Sequence, residues 1–441
     1  MKTMRYFTLF LLLFTISSLE AQWVVKHIND STVWSGFNDI VVQDSIVLAG
    51  GDLFMRSDDF GESWTQVHLP YDGKVKRIRF VNNNKVILLI QDDGDNVNRY
   101  LLQSDDRGAS WQLLQSFVSK QQDIFDFQFV TDSIGFFIGN DHIYKTLDGG
   151  NSIFTLTTKS SVFPSVSVTN FFQLQFVNAD TGYIAIALEK VIDHKIFFTL
   201  DGGKHWVLGP TLGLSNEPFW SNFLYSPNWN YVFVAGSDGI LKAEGFKLRF
   251  SKVAGEPKTG SIYHSMSLTK SGYGYCVGGF EGIIGNDVIL RSVMAKTTDF
   301  GNTWEVEMDS IGAPLYKVVF ANDSVGFTVS KNFQLIMKTS KGGGSIEGDY
   351  PWEKIRRIAK TANPKESDFS SQFVYPSPVI KGNTIHFISK VDHYFLYDLS
   401  GRLLLSGQNT DRLPSGDLPA GMYLLRAMRG RQNLVQKVQI E

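Results

Sequence analysis

The sequence predicts an all-β protein, a seven-bladed β-propeller followed by a small Ig-like β-sandwich. Three observations lead to this fold class. Aromatic residues make up 13% of the chain and there are 40 glycines, which favours strands and tight turns over helices. A turn motif recurs along the chain. Each repeat holds four short strand-like segments, and four strands in about 45 residues is the size of one propeller blade.

The first residues have the layout of a secretory signal peptide. Lys2 and Arg5 form a short basic region, residues 7–16 are an apolar run broken only by threonines, and Ala21 closes a stretch of small and polar residues. The apolar run is shorter than the roughly 20 residues that span a bilayer. We therefore expect residues 1–21 to be removed and the mature chain to leave the cytoplasm.

A propeller must join its first blade to its last, or it leaves an exposed strand edge. Residues 22–27 resemble the strand that follows each turn motif, with Trp23 in the position of the motif Trp. We therefore expect this segment to supply the outer strand of the last blade, and the propeller to span residues 22–346.

The repeated turn motif reads Ser or Thr, any residue, Asp, any residue, Gly, and then Trp three positions after the Gly. A sixth copy, at residues 339–346, has Lys341 in place of the Asp, and a worn copy lies near residues 241–245. The motif glycines at 61 and 343 bound six intervals that average 47 residues. The five intact copies are those at Asp59, Gly61 and Trp64; Asp106, Gly108 and Trp111; Asp148 and Gly150, with Ile153 for Trp; Asp201, Gly203 and Trp206; and Asp299, Gly301 and Trp304.

Each residue type in the motif has a physical role. The Asp carboxylate can accept backbone N–H bonds within its own turn, and the hydroxyl of Ser or Thr can bond in the same loop. The Gly allows positive φ where a side chain would clash. The Trp opens the fourth strand and buries a large apolar face against the neighbouring repeat. The pattern therefore predicts a structural hairpin turn and assigns these Asp residues no catalytic role.

The motif resembles the Asp box, or BNR repeat, of sialidases and related propellers, over roughly residues 23–346. The resemblance implies boxes at the outer ends of the blades, away from the axial face where ligands bind. The chain is also similar to propellers of the photosystem II assembly-factor type, whose repeats carry comparable Thr-x-Asp-Gly-Gly boxes.

Two enzyme families share the box, and the sequence departs from both. The segment from Arg77 to Arg79 is the nearest match to the sialidase Arg-Ile-Pro motif and lacks its proline, and no Tyr–Glu nucleophile pair is recognisable. Xyloglucanases of the seven-bladed type place catalytic carboxylates between two propellers, and only one propeller fits in this chain. Sialidase and xyloglucanase activity are therefore disfavoured.

Residues 347–372 read as a solvated linker, and residues 373–441 resume short strands with turns. The matches to a known C-terminal domain are spread over this segment in order: Tyr375, Pro376 and Pro378; Asp398 and Gly401; Pro419, Gly421 and Tyr423. They resemble the type A sorting domain of the type IX secretion system of Gram-negative bacteria. The resemblance implies that the secretion machinery is a partner, and that the protein is secreted or held at the outer-membrane surface.

Composition and motifs limit the remaining chemistry. The formal net charge is −2, which argues against a nucleic-acid partner. The eight histidines form no metal-ligand pattern, and no Ser/His/Asp signature is evident. No cofactor, metal ligand or catalytic residue is therefore assigned.

An aromatic stretch at residues 218–229 offers a weak candidate for stacking on sugar rings, namely Trp220, Tyr225 and Trp229. Blade core is the more frequent role of such residues. The leading hypothesis is a secreted or cell-surface module that binds a protein or glycan through one axial face. The alternative is a glycoside hydrolase on the same fold.

Overall fold

The computed structural model describes the propeller and the C-terminal domain as strands joined by turns. The described residues are 22–27, 35–92, 98–117, 124–139, 141–159, 168–188, 194–209, 221–228, 230–236, 239–244, 251–253, 262–284, 287–311, 313–331, 333–347, 374–375, 384–398, 403–414, 416, 418–429 and 432–440. The predicted signal peptide and nearly all of the predicted linker lie outside them. Among the described residues no helix is long and apolar enough to cross a membrane.

The first three blades are antiparallel four-stranded sheets in which sequence order is also spatial order. Blade 1 contains β2 (Phe37–Gln43), β3 (Ile46–Gly51), β4 (Phe54–Ser57) and β5 (Thr65–Gln66). Blade 2 contains β6 (Lys74–Phe80), β7 (Val86–Gln91), β8 (Arg99–Ser104) and β9 (Gln112–Phe117). Blade 3 contains β10 (Ile124–Phe129), β11 (Gly135–Gly139), β12 (His142–Thr146) and β13 (Phe154–Thr158).

The next three blades repeat this arrangement. Blade 4 contains β14 (Val168–Phe176), β15 (Gly182–Leu188), β16 (His194–Thr199) and β17 (Val207–Leu208). Blade 5 contains β18 (Ser221–Asn228), β19 (Tyr231–Gly236), β20 (Gly239–Glu244) and β21 (Ser251–Lys252). Blade 6 contains β22 (Ile262–Leu268), β23 (Gly274–Ile284), β24 (Asp287–Thr297) and β25 (Glu305–Ile311).

Blade 7 is assembled from both ends of the propeller sequence. It contains β26 (Leu315–Phe320), β27 (Gly326–Ser330), β28 (Ile336–Thr339), β1 (Gln22–His27) and β29 (Ser345–Glu347), in the spatial order β26-β27-β28-β1-β29. Strand β1 pairs antiparallel with β28, with Trp23 opposite Thr339. The predicted closure by the N-terminal segment is confirmed, and β29 adds a fifth strand parallel to β1.

Burial explains the pattern of apolar residues in each repeat. The second strand of a blade is covered by blades on both faces, so β3, β11 and β27 are buried at every residue. Such strands are continuously apolar rather than alternating. The first, or inner, strands contact one another in sequence around the ring, and β26 contacts β2. Seven blades therefore form a closed ring about a central channel.

Blade 7 is held to its two neighbours by packing on blade 6 and by ion pairs with blade 1. Trp23 is fully buried and meets the rings of Tyr275 and Phe320 edge to face. Glu62, in the first box, lies 2.6 Å from both Lys26 and Lys338, which belong to two adjacent strands of blade 7. These two ammonium groups lower the pKa of Glu62. Blade 7 therefore packs on blade 6 through a large buried Trp and pairs with blade 1 through opposite charges.

The C-terminal domain is built on one long strand. It contains β30 (Val374–Tyr375), β31 (Thr384–Asp398), β32 (Leu403–Pro414), β33 (Gly421–Arg429) and β34 (Gln432–Ile440). One edge of β31 pairs with β32, and the other pairs with β30 near its start and with β33 towards its end. Its buried side chains, among them Phe387, Leu425 and Val438, form a core of their own.

Candidate functional site

The box turns are closed by bonds within each turn. In the first box Gly61 N–H donates to Ser57 Oγ at 2.7 Å, Ser63 N–H donates to Asp59 Oδ1 at 2.9 Å, and Trp64 Nε1 donates to the Gly61 carbonyl at 3.2 Å. The bond from the Gly N–H to the Ser or Thr hydroxyl recurs at Gly108, Gly150, Gly203 and Gly301. The Asp carboxylate also accepts the N–H of the second residue after the Gly in the other four boxes, at Asp106, Asp148, Asp201 and Asp299. The indole bond recurs at Trp111, Trp206 and Trp304.

The box glycines also dock each blade on the one before it. Gly61 has φ 77°, and a Cβ there would lie 2.4 Å from Phe327 of blade 7. Gly301 has φ 72°, and its Cβ would lie 2.6 Å from Phe233 of blade 5. Both the backbone conformation and the space exclude a side chain at these positions. The boxes therefore hold blades together at the end of the propeller opposite the starts of the inner strands.

The decayed box of blade 7 borrows a carboxylate from blade 6. Thr339 Oγ1 still accepts the Gly343 N–H at 2.7 Å, but Lys341 offers no acceptor. Glu307 of β25 takes the place of the Asp, and accepts the Gly344 N–H at 2.9 Å and the hydroxyl of Tyr275. The structure thus contains a Tyr–Glu pair that the sequence did not reveal.

This pair has no nucleophilic character. Tyr275 is fully buried on the second strand of its blade, away from the axis. Burial, and then the charge of Glu307, raise the pKa of Tyr275 well above its usual value. A phenol that resists ionisation is a poor nucleophile. The pair therefore stabilises the closing turn.

A repeated irregularity marks the channel wall. Each inner strand skips a residue in its pairing with the second strand, and the inner strands of blades 4 and 5 each have a second irregularity. We choose one such skip in each blade, three residues before the end of the strand in blade 4 and near the start of the strand in the others, and call the residue that follows it the ring position. The ring positions in blade order are Asp39, Arg77, Asp126, Gln173, Phe223, Ser265 and Lys317.

In blades 3 to 6, neutral side chains bond to the exposed backbone edge of the next inner strand. Gln173 donates to the Leu224 carbonyl at 2.8 Å and accepts the Leu224 N–H at 2.7 Å. Gln175 does the same at Ser226, and Gln128 does so at Phe176. A carboxamide can satisfy both groups because it carries a donor and an acceptor. This part of the channel wall is sealed by neutral polar contacts.

Charged side chains take the corresponding positions across blades 7, 1, 2 and 3, where they pair mainly with one another. Asp39 Oδ2 accepts the Ile78 N–H at 2.9 Å and lies 2.6 Å from Arg79 Nη1. Arg79 Nη2 lies 3.2 Å from Asp126 Oδ1, and Arg77 Nε lies 3.1 Å from the same oxygen. Arg and Lys have no acceptor for a backbone N–H, so they pair with carboxylates instead.

Lys317 completes this group, which we call the axial cluster: Asp39, Arg77, Arg79, Asp126 and Lys317. Its ammonium lies 4.0 Å from Asp39, beyond hydrogen-bond distance. The side chain of Asp39 is 2% exposed, whereas those of Arg77 and Lys317 are 28% and 34% exposed. Three cations outnumber two carboxylates, so the solvent in the channel meets a net positive charge.

The protonation states in the axial cluster follow from its packing. Burial alone would raise the pKa of Asp39, but the charges of Arg79, Lys317 and Arg77 outweigh it and lower that pKa. Burial likewise opposes the charge of Arg77, but Asp126 outweighs it and raises the pKa of Arg77. Burial lowers the pKa of Lys317, and Asp39 only partly opposes this. Asp39 is therefore ionised at neutral pH, and cannot act as a general acid.

The channel opens at the end of the propeller where the inner strands begin, which we call the loop face. His264 and Tyr316, the residues skipped by the pairing in blades 6 and 7, have ring centroids 5.6 Å apart. Lys331 lies over the Tyr316 ring at 5.2 Å. Burial and then the charge of Lys331 lower the pKa of His264 to about 4. A neutral imidazole, a phenol and an ammonium group therefore border the axial cluster.

Of the three residues proposed for sugar stacking, only Tyr225 is among the described residues. Trp220 and Trp229 lie outside the described residues. The Tyr225 hydroxyl accepts the Leu268 N–H at 3.0 Å and so bridges blades 5 and 6. Among the sorting-domain residues, Asp398 lies opposite Tyr423, whose hydroxyl donates to the Pro419 carbonyl, and Gly421 begins β33. Pro376, Pro378 and Gly401 lie outside the described residues, and only the backbone of Tyr375 is placed, in β30.

Comparison with known proteins identifies the two parts of the chain. Residues 373–441 match the family model of the secretion system C-terminal sorting domain. YCF48 from Cyanidioschyzon merolae is similar with a TM-score of 0.54 and 14% identity, over 72% of this chain and 99% of that one. YCF48 bound to D1 peptide is similar with a TM-score of 0.54 and 13% identity, over 74% and 96%.

A GH74 xyloglucanase from Xanthomonas campestris has a TM-score of 0.52 and 10% identity, over 73% of this chain and 54% of that one. No curated protein matches the chain significantly. At these identities the similarity shows the fold and not the activity. The chain thus joins a seven-bladed β-propeller to a sorting domain of the type IX secretion system.

Proposed function

We propose that the exported propeller is a binding module whose ligand docks on the loop face, over the axial cluster. The observation that carries this proposal is the composition of the axial cluster, which offers solvent-accessible cations beside buried carboxylates. Arg79 bridges the only two carboxylates of the cluster. A glycosidase needs one carboxyl of raised pKa as general acid and a second as base or nucleophile. The pKa of Asp39 is lowered rather than raised, and Arg79 holds both carboxylates in ion pairs, so binding is favoured over hydrolysis.

The similarity to YCF48, one structure of which is bound to D1 peptide, supports a binding role for this fold. Attachment of the exported protein to the outer-membrane surface, and removal of the sorting domain on export, belong to the same proposal. The Asp boxes contribute to ligand binding indirectly, because they hold together the blades that form the loop face.

The test uses the purified chain and a double variant, Arg77→Gln with Lys317→Met. Both are incubated with polysaccharides and with surface proteins of the exporting cell, and retention and reducing-end release are measured. We expect retention without release for the wild type, and weaker retention for a folded double variant. Release of reducing ends would establish the hydrolase alternative, and equal retention of both proteins would show that the loop face is not the binding surface.

A further inference from the structure

A second feature of the loop face lies beside the axial cluster, in blades 1 and 2. Tyr71 precedes β6, and its ring stacks on that of Tyr100 with centroids 4.3 Å apart and planes at 24°. Both side chains are half-buried, so each keeps part of its surface accessible. We call them the tyrosine pair.

The tyrosine pair lies at the same end of blade 2 as the channel opening. Lys74, at the start of β6, pairs with Gln91 at the end of β7, and Gln91 pairs with Arg99 at the start of β8. Tyr100 follows Arg99 directly. Tyr71 precedes Arg77 by six residues, and an extended strand advances about 3.3 Å per residue, so the pair and the axial cluster lie within about 20 Å of each other.

The strand that joins these two features is rich in cations. Strand β6 has the sequence KVKRIRF, so four of its seven residues are Lys or Arg. Lys74 lies 3.1 Å from Asp52 and leaves 40% of its side chain exposed. The four cations of β6 and Lys317 therefore outnumber the three carboxylates that lie beside them, Asp39, Asp52 and Asp126.

The backbone edges in the channel argue against an extended peptide as the ligand. Peptides that add a strand need free N–H and C=O groups on a sheet edge. The inner edges of blades 4 to 7 bond to side chains of the preceding blade, at Leu224, Leu268 and Val318 among others. Sugar rings, by contrast, stack on aromatic faces, and carboxylates pair with Arg and Lys.

We propose that the loop face of blades 7, 1 and 2 binds a polysaccharide of uronic acids. The inference rests on the proposed function and names its ligand class. A sugar ring packs on the tyrosine pair, and the carboxylates of neighbouring units lie along β6 towards Lys317. The requirement for both an aromatic surface and repeated negative charge distinguishes this ligand from neutral glycans.

The probes are three uronate polymers of different linkage, namely polygalacturonate, alginate and hyaluronate, together with methyl-esterified polygalacturonate as a neutral match. We expect the purified chain to bind at least one uronate polymer, with affinity that falls as salt rises. Esterification should weaken the binding of polygalacturonate, where it occurs, about tenfold or more, which corresponds to the loss of one charge-assisted contact.

The variants separate charge from stacking. Lys317→Met and Tyr71→Ala should each weaken uronate binding about tenfold. Lys204→Met removes an exposed cation from the box of blade 4, at the opposite end, and should bind as the wild type does. Thermal unfolding of each variant verifies that it is folded.

Binding to no uronate polymer, or equal binding of Lys317→Met, Tyr71→Ala and wild type, would overturn the uronate inference. If the wild type then retained another ligand that the double axial variant releases, the proposed function would stand without it. If the double variant retained every ligand, the proposed function itself would be wrong.

Discussion

At the scale of single residues, the inner strands solve a problem common to propellers. Every inner strand is a sheet edge, and its unbonded N–H and C=O groups face the channel. Gln128, Gln173 and Gln175 meet this need with a donor and an acceptor from one side chain. Where the chain uses charged residues instead, it gives up this neutral solution, which supports the proposal that the axial cluster serves a ligand.

The glutamine bridges make a stability prediction. Gln175 Nε2 donates to the Ser226 carbonyl at 2.9 Å, and Gln175 Oε1 accepts the Ser226 N–H at 3.0 Å. Replacing Gln175 with Leu leaves both backbone groups unpaired, and should lower the free energy of unfolding by about 2–3 kcal/mol. Urea denaturation measures this change. Gln112→Leu, at an exposed position of β9, is the matched control and should stay within about 0.5 kcal/mol of the wild type.

The box carboxylates make a prediction about pH. Burial opposes ionisation of Asp106, but bonds from Ser110 and Ser104 outweigh it and lower its pKa from 3.8 to about 2. Between these values the unfolded chain binds more protons than the folded one, so the stabilisation is full above about pH 4 and is lost as the pH falls towards 2.

The variant Asp106→Asn tests that window. Its deficit in unfolding free energy relative to the wild type should be largest at pH 7 and should shrink as the pH falls from 4 to 2. Chemical denaturation at fixed pH values across this range measures the deficit. A deficit that is independent of pH would show that the charge of Asp106 contributes nothing to stability.

At the scale of elements, sequence and structure agree where the interactions are local. The box bonds join residues two to four positions apart, so a short motif suffices to predict the turn. The closing strand was predictable because Trp23 stands where a box Trp would. The axial cluster was not predictable, since its ion pairs join residues at least 40 positions apart and depend on the order of blades around the ring. The one local sign was the run of cations in β6.

The burial of Trp23 in the closing strand β1 leads to a prediction about the stability of the ring. Trp23 is fully buried against blades 6 and 7, so Trp23→Ala should cost about 3–5 kcal/mol of unfolding free energy. Removing the charge of Glu62 with Glu62→Gln should cost less, about 1–2 kcal/mol, because one of its two partners, Lys338, has a buried side chain. Thermal and urea unfolding of the two variants compare them directly. Equal losses would mean that closure of the ring depends on the ion pairs as much as on the packing of β1.

At the scale of the whole molecule, the propeller and the C-terminal sorting domain have different roles. Interblade contacts hold the ring together, and the sorting domain addresses the chain to the type IX secretion system. The N-terminal strand completes the ring, so residues at the start and the end of the propeller sequence must both be present before the loop face is whole. A seven-bladed ring closed in this way requires no contribution from the C-terminal core, whose buried residues form a separate cluster.

This division predicts that export and folding are separable. In the native host, deletion of residues 373–441 should leave the propeller folded and able to bind, because its cores contain no side chain of that segment. The truncated protein should stay inside the outer membrane, whereas the full chain should reach the surface or the medium. Cell fractionation with immunoblotting locates both proteins, and protease resistance of the retained one reports on folding. A truncated protein that reached the medium in the amount seen for the full chain would show that export follows another signal. A retained but protease-sensitive protein would show that the propeller depends on the C-terminal domain to fold.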